Sequence, residues 1–165
     1  MRKIRRRFHG FAVATGLLAV LTVTVSHGAD LKSPSLVKTS LQIFAGVYGD
    51  MQRKLAAKTY ERLPHENQEF QDGAAAMRDA VANEPAAFKA QVETQLKKTL
   101  AASQHVADTS ATRDDAQVHA ALDALATSLK DLNGLFPESL RVEPGSVPPP
   151  RGPHGPGGPA GAAPK

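Results

Sequence analysis

The sequence predicts an all-α fold: an up-down-up-down four-helix bundle, flanked by an N-terminal signal peptide and a disordered Pro/Gly-rich C-terminal tail. Apolar residues recur every three or four positions through residues 33–136, which is the spacing of one helix face. No stretch alternates apolar and polar residues over the length of a strand, and the breaks between the periodic segments are short, as in bundles. The predicted helices cover about residues 35–62, 66–82, 84–107 and 112–133.

Residues 1–28 have the three parts of a secretory signal peptide. Five basic residues lie within the first seven positions, an apolar stretch follows from Phe11 to Val25, and Ser26-His27-Gly28 gives a small-x-small cleavage pattern. The apolar stretch is shorter than the roughly 20 residues that cross a bilayer as a helix. We therefore predict cleavage after Gly28 and a periplasmic or secreted protein. Cleavage after Ala29 and an uncleaved membrane anchor are the alternatives.

The basic residues of the signal bear on the export route and on the charge of the mature chain. Arg5-Arg6-Arg7-Phe8 fits the centre of a twin-arginine signal, but Ile4 and His9 depart from its flanks, which favours general secretion. The whole chain has 20 Lys and Arg against 16 Asp and Glu, and without the signal 15 remain against 16. The mature protein therefore lacks the excess of basic charge that binds phosphates, which excludes nucleic acid as a partner. The chain has no cysteine, so disulfides, thiolate catalysis and covalently attached haem are excluded as well.

Each predicted helix carries an apolar seam, as expected for helices that pack nearly antiparallel. Pro64 ends the first helix, because the residue before a proline is disfavoured in helical geometry. Gly134 and Pro137 end the fourth helix. The inward residues are predicted to be Val37, Leu41, Phe44, Tyr48, Met51 and Leu55 in the first helix, Phe70, Ala74, Met77 and Val81 in the second, Phe88, Val92, Leu96, Leu100 (or Thr99) and Val106 in the third, and Val118, Leu122, Leu125, Leu129, Leu132 and Phe136 in the fourth.

Two glycines, Gly46 and Gly49, lie inside the first predicted helix. Each costs about 1 kcal/mol relative to alanine in a helix interior, so a compensating contact is expected. Close approach of a neighbouring helix, especially at the small residues 73–76, is the favoured explanation. Access for a partner or ligand is the alternative.

Residues 144–165 differ in composition from the bundle. They contain eight of the 12 prolines and six of the 13 glycines, with almost no large apolar residue, so they cannot bury enough surface to fold. Three Gly-Pro-X triplets beginning at Gly152, followed by Gly161-Ala162-Ala163, have the spacing of collagen, but four triplets are too few to hold three chains together. A solvated spacer is therefore favoured over a trimerising tail.

Met51 and His119 form the one candidate cofactor pair. If the first and fourth helices are antiparallel neighbours, these residues lie at the same level. A methionine on the first helix and a histidine on the last resemble the haem ligands of bundle cytochromes of the cytochrome b562 type, which implies non-covalent haem b. A core methionine beside a surface histidine is the favoured interpretation, so no cofactor is predicted and haem is the alternative.

The sequence contains no catalytic constellation. His65-Glu66-x-x-Glu69 lacks the second histidine of a zinc site, and glutamates in the first turn of a helix are stabilised by the helix dipole without a metal. Asp50 and Lys54 are interpreted as an ion pair on an exposed face.

By elimination, the sequence predicts an exported helical module that binds an envelope protein or a small ligand. It predicts neither an enzyme nor a metal site. A haem or ligand carrier and a chaperone-like protein with an apolar groove are the alternatives. Self-association is left open, and membrane contact is expected only if the signal stays uncleaved.

Overall fold

A computed structural model of the chain describes residues 31–146. The four α-helices are α1 (Pro34–Ala56), α2 (Leu63–Ala80), α3 (Ala86–Ser110) and α4 (Asp115–Gly134), with 3₁₀ turns at Tyr60–Arg62 and Glu138–Leu140. Each α-helix packs against the next, α1 also contacts α4, and residues 31–146 contain no strand. The chain is therefore a helical bundle. The predicted signal and residues 147–165 of the predicted tail lie outside the described residues.

The predicted seams form the core. Every inward residue predicted for α1, α2 and α4 is buried, and in α3 the buried member of the pair at 99 and 100 is Thr99. Phe44 and Phe70 stack at 5.6 Å between ring centroids and join α1 to α2. Among the described residues, Leu36 is the only exposed large apolar side chain. Every other large apolar side chain of residues 31–146 is buried fully or in part.

The connection between α1 and α2 differs most from the predicted boundaries. α1 ends at Ala56, because Lys58 takes a left-handed conformation (φ 58°) and the amide of Thr59 donates back to the carbonyl of Lys54. α2 begins at Leu63, so Pro64 lies in its first turn, where a missing N–H costs no hydrogen bond. The proline that was predicted to end the first helix instead starts the second. The first turn of α2 thereby includes residues 65 and 66.

A short C-terminal segment, residues 141–146, packs back onto the bundle. The Asn133 side chain accepts a hydrogen bond from the amide of Val142 and donates one to its carbonyl, both at 3.0 Å. The amide of Gly145 donates to the carbonyl of Ala45 on α1 at 3.0 Å. The first three residues of the predicted tail, 144–146, are thus part of the described fold.

None of the helices within residues 31–146 is both long enough and apolar enough to cross a membrane.

Candidate functional site

A cavity of about 440 Å³ lies where α1 ends and α2 begins, and we call it the polar cavity. It lies between the last turns of α1, the 3₁₀ turn and the first turns of α2. Its lining consists of seven ionisable residues: Asp50, Lys54, Glu61, Arg62, His65, Glu66 and Glu69.

Helical spacing brings these side chains together. Asp50 and Lys54 are four residues apart in α1 and therefore share a face, with 3.4 Å between Lys54 Nζ and Asp50 Oδ2. The early start of α2 places His65 and Glu69 four residues apart on one face as well, with 3.8 Å between His65 Nε2 and Glu69 Oε1. The loop that closes α1 allows the two helices to present these faces to each other.

Glu66 is the buried residue of the polar cavity. Its side chain is 1% exposed, and its Oε1 pairs with Lys54 Nζ, which is 17% exposed. Its other oxygen, Oε2, is buried and has no hydrogen-bond partner among the described residues. Leaving a buried polar atom unsatisfied costs about 1–3 kcal/mol, and more for a charged group.

The charge of the lining is acidic. Four carboxylates face two basic side chains and one histidine, a formal net charge of −2 with neutral histidine. Glu61, Arg62 and His65 are exposed, while Asp50 and Glu69 are half-buried. The exposed residues surround the mouth of the cavity, and the buried carboxylate is held by Lys54 from α1. This arrangement favours a ligand that brings positive charge and hydrogen-bond donors.

The sequence suggests a different role for part of this site. His65, Glu66 and Glu69 were considered as metal ligands, and no group of three His, Asp or Glu within residues 31–146 is placed to hold a metal ion. Asp50 and Lys54 were interpreted as a surface pair, whereas both are partly buried and line the cavity. The sequence feature that could have indicated this cavity is the high density of charged residues on both sides of the short connection at residues 57–62.

Met51 and His119, the haem candidates, lie in different environments. Met51 is fully buried in the core, and His119 is exposed. His119 lines a second, smaller cavity of about 110 Å³ between α1 and α4, together with Tyr48, Gln52, Leu55, Leu122 and Asp123. Met51 is not part of that lining, and the volume is below the roughly 300 Å³ at which small-molecule sites begin.

Tyr48 gives this smaller cavity its main electrostatic feature. Burial raises the pKa of Tyr48, and the nearby Asp123 carboxylate raises it further, while a hydrogen bond with Gln52 opposes both effects. Gln52 Nε2 donates to the Tyr48 hydroxyl at 3.2 Å. The phenol therefore stays protonated well above neutral pH and is not poised for proton transfer.

Gly46 and Gly49 are both buried in α1. A Cβ on Gly49 would lie 3.2 Å from the Cα of Gly145 and 3.6 Å from its carbonyl oxygen. The close neighbour of Gly49 is therefore the C-terminal segment and not α2. The small residue of α2 that does meet α1 closely is Gly73, where a Cβ would lie 3.1 Å from a ring carbon of Phe44.

Residues 31–146 form a small all-helical bundle with a cavity lined by ionisable side chains. Comparison with protein-family models, with curated proteins and with solved structures gave no match.

Proposed function

We propose that this chain is an exported helical module that binds a small polar ligand in the periplasm or outside the cell. The observation that supports this most directly is the polar cavity with its buried, half-satisfied Glu66. An unsatisfied buried carboxylate oxygen destabilises the free protein, and a ligand whose binding draws the Glu66 side chain toward the cavity would relieve that cost. The cavity volume of about 440 Å³ is within the range of small-molecule sites, about 300–1,000 Å³.

A small ligand is favoured over an apolar partner surface. A chaperone-like groove requires an exposed apolar stripe, and residues 31–146 expose a single large apolar side chain, Leu36. In this proposal the four helices run up-down-up-down, which accounts for the short connections and for the contact between α1 and α4. The signal delivers the bundle to the envelope, and residues 147–165 act as a spacer or docking arm.

Native mass spectrometry of the protein, produced with its own signal and purified from the periplasm, tests both parts of this proposal. We expect a chain that begins at Ala29 and carries a small non-covalent adduct. A Glu66→Gln variant is expected to be exported normally and to lose the adduct, whereas Asp72→Asn, an exposed carboxylate of α2 outside the cavity, is expected to keep it.

Two results would contradict the proposal. A chain that retains residues 1–28 in the membrane fraction would refute export as a free protein. A haem adduct with a Soret band that disappears in Met51→Ala or His119→Ala would replace the small polar ligand by the haem alternative.

A further inference from the structure

We infer that Asn133 is a deamidation site, and that its conversion to aspartate or isoaspartate releases the C-terminal segment, residues 141–146, from the bundle. The inference concerns the end of α4 and is independent of the polar cavity and its ligand. It rests on the residue that follows Asn133, on the hydrogen bonds of its side-chain amide, and on the loss of those bonds when the amide becomes a carboxylate.

The residue after Asn133 makes this asparagine chemically different from the other two. Asn133 is followed by glycine, whereas Asn67 is followed by glutamine and Asn83 by glutamate. In deamidation, the deprotonated backbone nitrogen of the next residue attacks the side-chain carbonyl carbon. A C–N bond forms, the bond to the side-chain nitrogen breaks, and ammonia leaves; water then opens the cyclic imide at either carbonyl and gives aspartate or isoaspartate. Glycine favours the attack because it has no Cβ and reaches backbone conformations that other residues avoid.

The side-chain amide of Asn133 holds the C-terminal segment through both its nitrogen and its oxygen. Nδ2 donates to the carbonyls of Leu129 and Val142 at 3.2 and 3.0 Å, and Oδ1 accepts from the amide of Val142 at 3.0 Å. The Asn133 side chain is buried, and the amide of Gly145 donates to the carbonyl of Ala45 at 3.0 Å. Asn133 therefore fixes the segment on α4, and Gly145 fixes it on α1.

A carboxylate at position 133 cannot make the same bonds. It has no N–H, so both donations to the Leu129 and Val142 carbonyls are lost. A negatively charged oxygen then faces two carbonyl oxygens in place of a donor, in a buried position where an unpaired charge is costly. Isoaspartate also adds a methylene group to the main chain, which displaces the side chain. Either product releases Val142 and adds residues 141–146 to the length of chain that leaves the bundle.

The end of α4 controls when the reaction occurs. Gly134 is the last residue of α4 and is exposed. In helical geometry its amide is directed along the helix axis and not at the side chain of Asn133. The last turn must therefore open before the attack, and helix ends open locally at lower cost than a core. The C-terminal segment protects Asn133 for as long as Asn133 holds the segment, and deamidation makes the release permanent.

The test follows each asparagine of the mature full-length chain at pH 8 and 37 °C by peptide mapping with mass spectrometry. We expect Asn133 to give both aspartate and isoaspartate, the products of a cyclic imide, while Asn67 and Asn83 stay unchanged. The reaction is expected to be about tenfold or more slower than in a synthetic peptide of residues 129–137, because the helix end must open first. Gly134→Ala keeps the amide in place and is expected to slow the reaction about tenfold or more.

Hydrogen exchange then measures the release. In Asn133→Asp, the amide of Gly145 is expected to exchange as an unprotected amide, while the amide of Leu125 within α4 stays protected. If Asn133→Asp fails to fold, Gly145→Ala gives the reciprocal test. Gly145 has φ 79°, and a Cβ there would lie 2.8 Å from Gln52 Oε1, so alanine loosens the segment. Because coupling between two sites is reciprocal, deamidation of Asn133 is expected to accelerate several-fold in that variant.

Four results would overturn the inference. An unchanged Asn133 after the peptide has reacted completely would mean that the end of α4 does not open. Equal rates in the natural chain and in Gly134→Ala would exclude the cyclic imide. A protected Gly145 amide in a folded Asn133→Asp chain would mean that the segment is held without the asparagine amide. A Gly145→Ala chain that deamidates no faster than the natural one would mean that the segment does not protect Asn133.

Discussion

Substituting Gly49 by alanine tests how the C-terminal segment is held against α1. In a helix interior, this change alone stabilises a protein by about 1 kcal/mol, because alanine is the better helix former. At Gly49, however, the new Cβ would lie 3.2 Å from the Cα of Gly145, which is backbone and cannot rotate away. The segment must move, and the hydrogen bond from the Gly145 amide to the Ala45 carbonyl is the first contact to weaken.

The two effects are of similar size and opposite sign. Loss of one backbone hydrogen bond costs about 0.5–1.5 kcal/mol. We therefore expect Gly49→Ala to change the free energy of unfolding by about 0.5 kcal/mol or less in either direction. Gly134→Ala is the matched control, because Gly134 is helical and exposed and a Cβ there meets no atom within 4 Å. It is expected to stabilise the protein by about 0.4–1 kcal/mol.

Calorimetric unfolding of the two variants beside the natural chain provides the measurement. The control is expected to raise the Tm by about 2–4 °C, at roughly 4 °C per kcal/mol for a domain of this size. Gly49→Ala is expected to leave the Tm within about 2 °C of the natural value. If both alanines raise the Tm equally, the C-terminal segment does not pack on Gly49, and close approach of Gly145 does not explain the glycine at that position.

Three further predictions concern other parts of the bundle. Asn133→Ala removes both bonds to the Val142 backbone and is expected to lower the free energy of unfolding by about 2 kcal/mol, measured by urea denaturation; an unchanged value would mean that water replaces the amide. Arg113, at φ 55°, is strained, so Arg113→Gly is expected to raise stability by about 1 kcal/mol while Arg113→Ala does not. The hydrogen bonds from Arg78 lower the pKa of Glu93. At a pH above the usual Glu pKa, this exposed pair therefore stabilises the fold, and the stabilisation is lost as the pH falls through the lowered pKa of Glu93. Glu93→Gln is therefore expected to cost about 0.2–1 kcal/mol at pH 7 and nothing at a pH where Glu93 is protonated in both folded and unfolded chains; a constant difference would contradict the assignment.

The spacing of apolar residues predicted the helices and most of the core because burial of one helix face is a local, periodic requirement. The same spacing could not decide between Thr99 and Leu100. Thr99 is buried because its hydroxyl bonds to the Gln95 carbonyl and to Ser128 Oγ, and Gln95 Nε2 in turn donates to Ser128. Polar pairs between helices depend on which helices become neighbours, and a single-segment pattern does not contain that information.

The polar cavity was harder to predict than the core, for a related reason. Its formation depends on where one helix stops and the next starts, and Pro64 is compatible with either event. The left-handed residue that closes α1 is Lys58, where glycine is the usual signal. Once α2 starts at Leu63, Glu66 lies in its first turn and pairs with Lys54 of α1, and His65 and Glu69 line the same cavity. An error of a few residues in the predicted boundary between the first two helices therefore prevented prediction of the polar cavity, although all of its lining residues are charged or histidine.

The Lys54–Glu66 pair gives the last prediction, which separates a structural role for the buried carboxylate from a binding role. Removing one partner of a buried ion pair leaves an uncompensated charge and costs about 3–5 kcal/mol, less here because Lys54 is partly exposed. Lys54→Met alone is therefore expected to destabilise the fold by about 2 kcal/mol, measured by urea denaturation. The double variant Lys54→Met with Glu66→Leu removes both charges and fills the buried position with an apolar side chain. Its free energy of unfolding is expected to equal or exceed that of the natural chain. If the double variant is as unstable as the single one, the pair is required for folding, and its presence needs no ligand to explain it. Recovery of stability in the double variant together with loss of the adduct seen on the natural chain would mean that the pair is not required for folding and that Glu66 has a binding role.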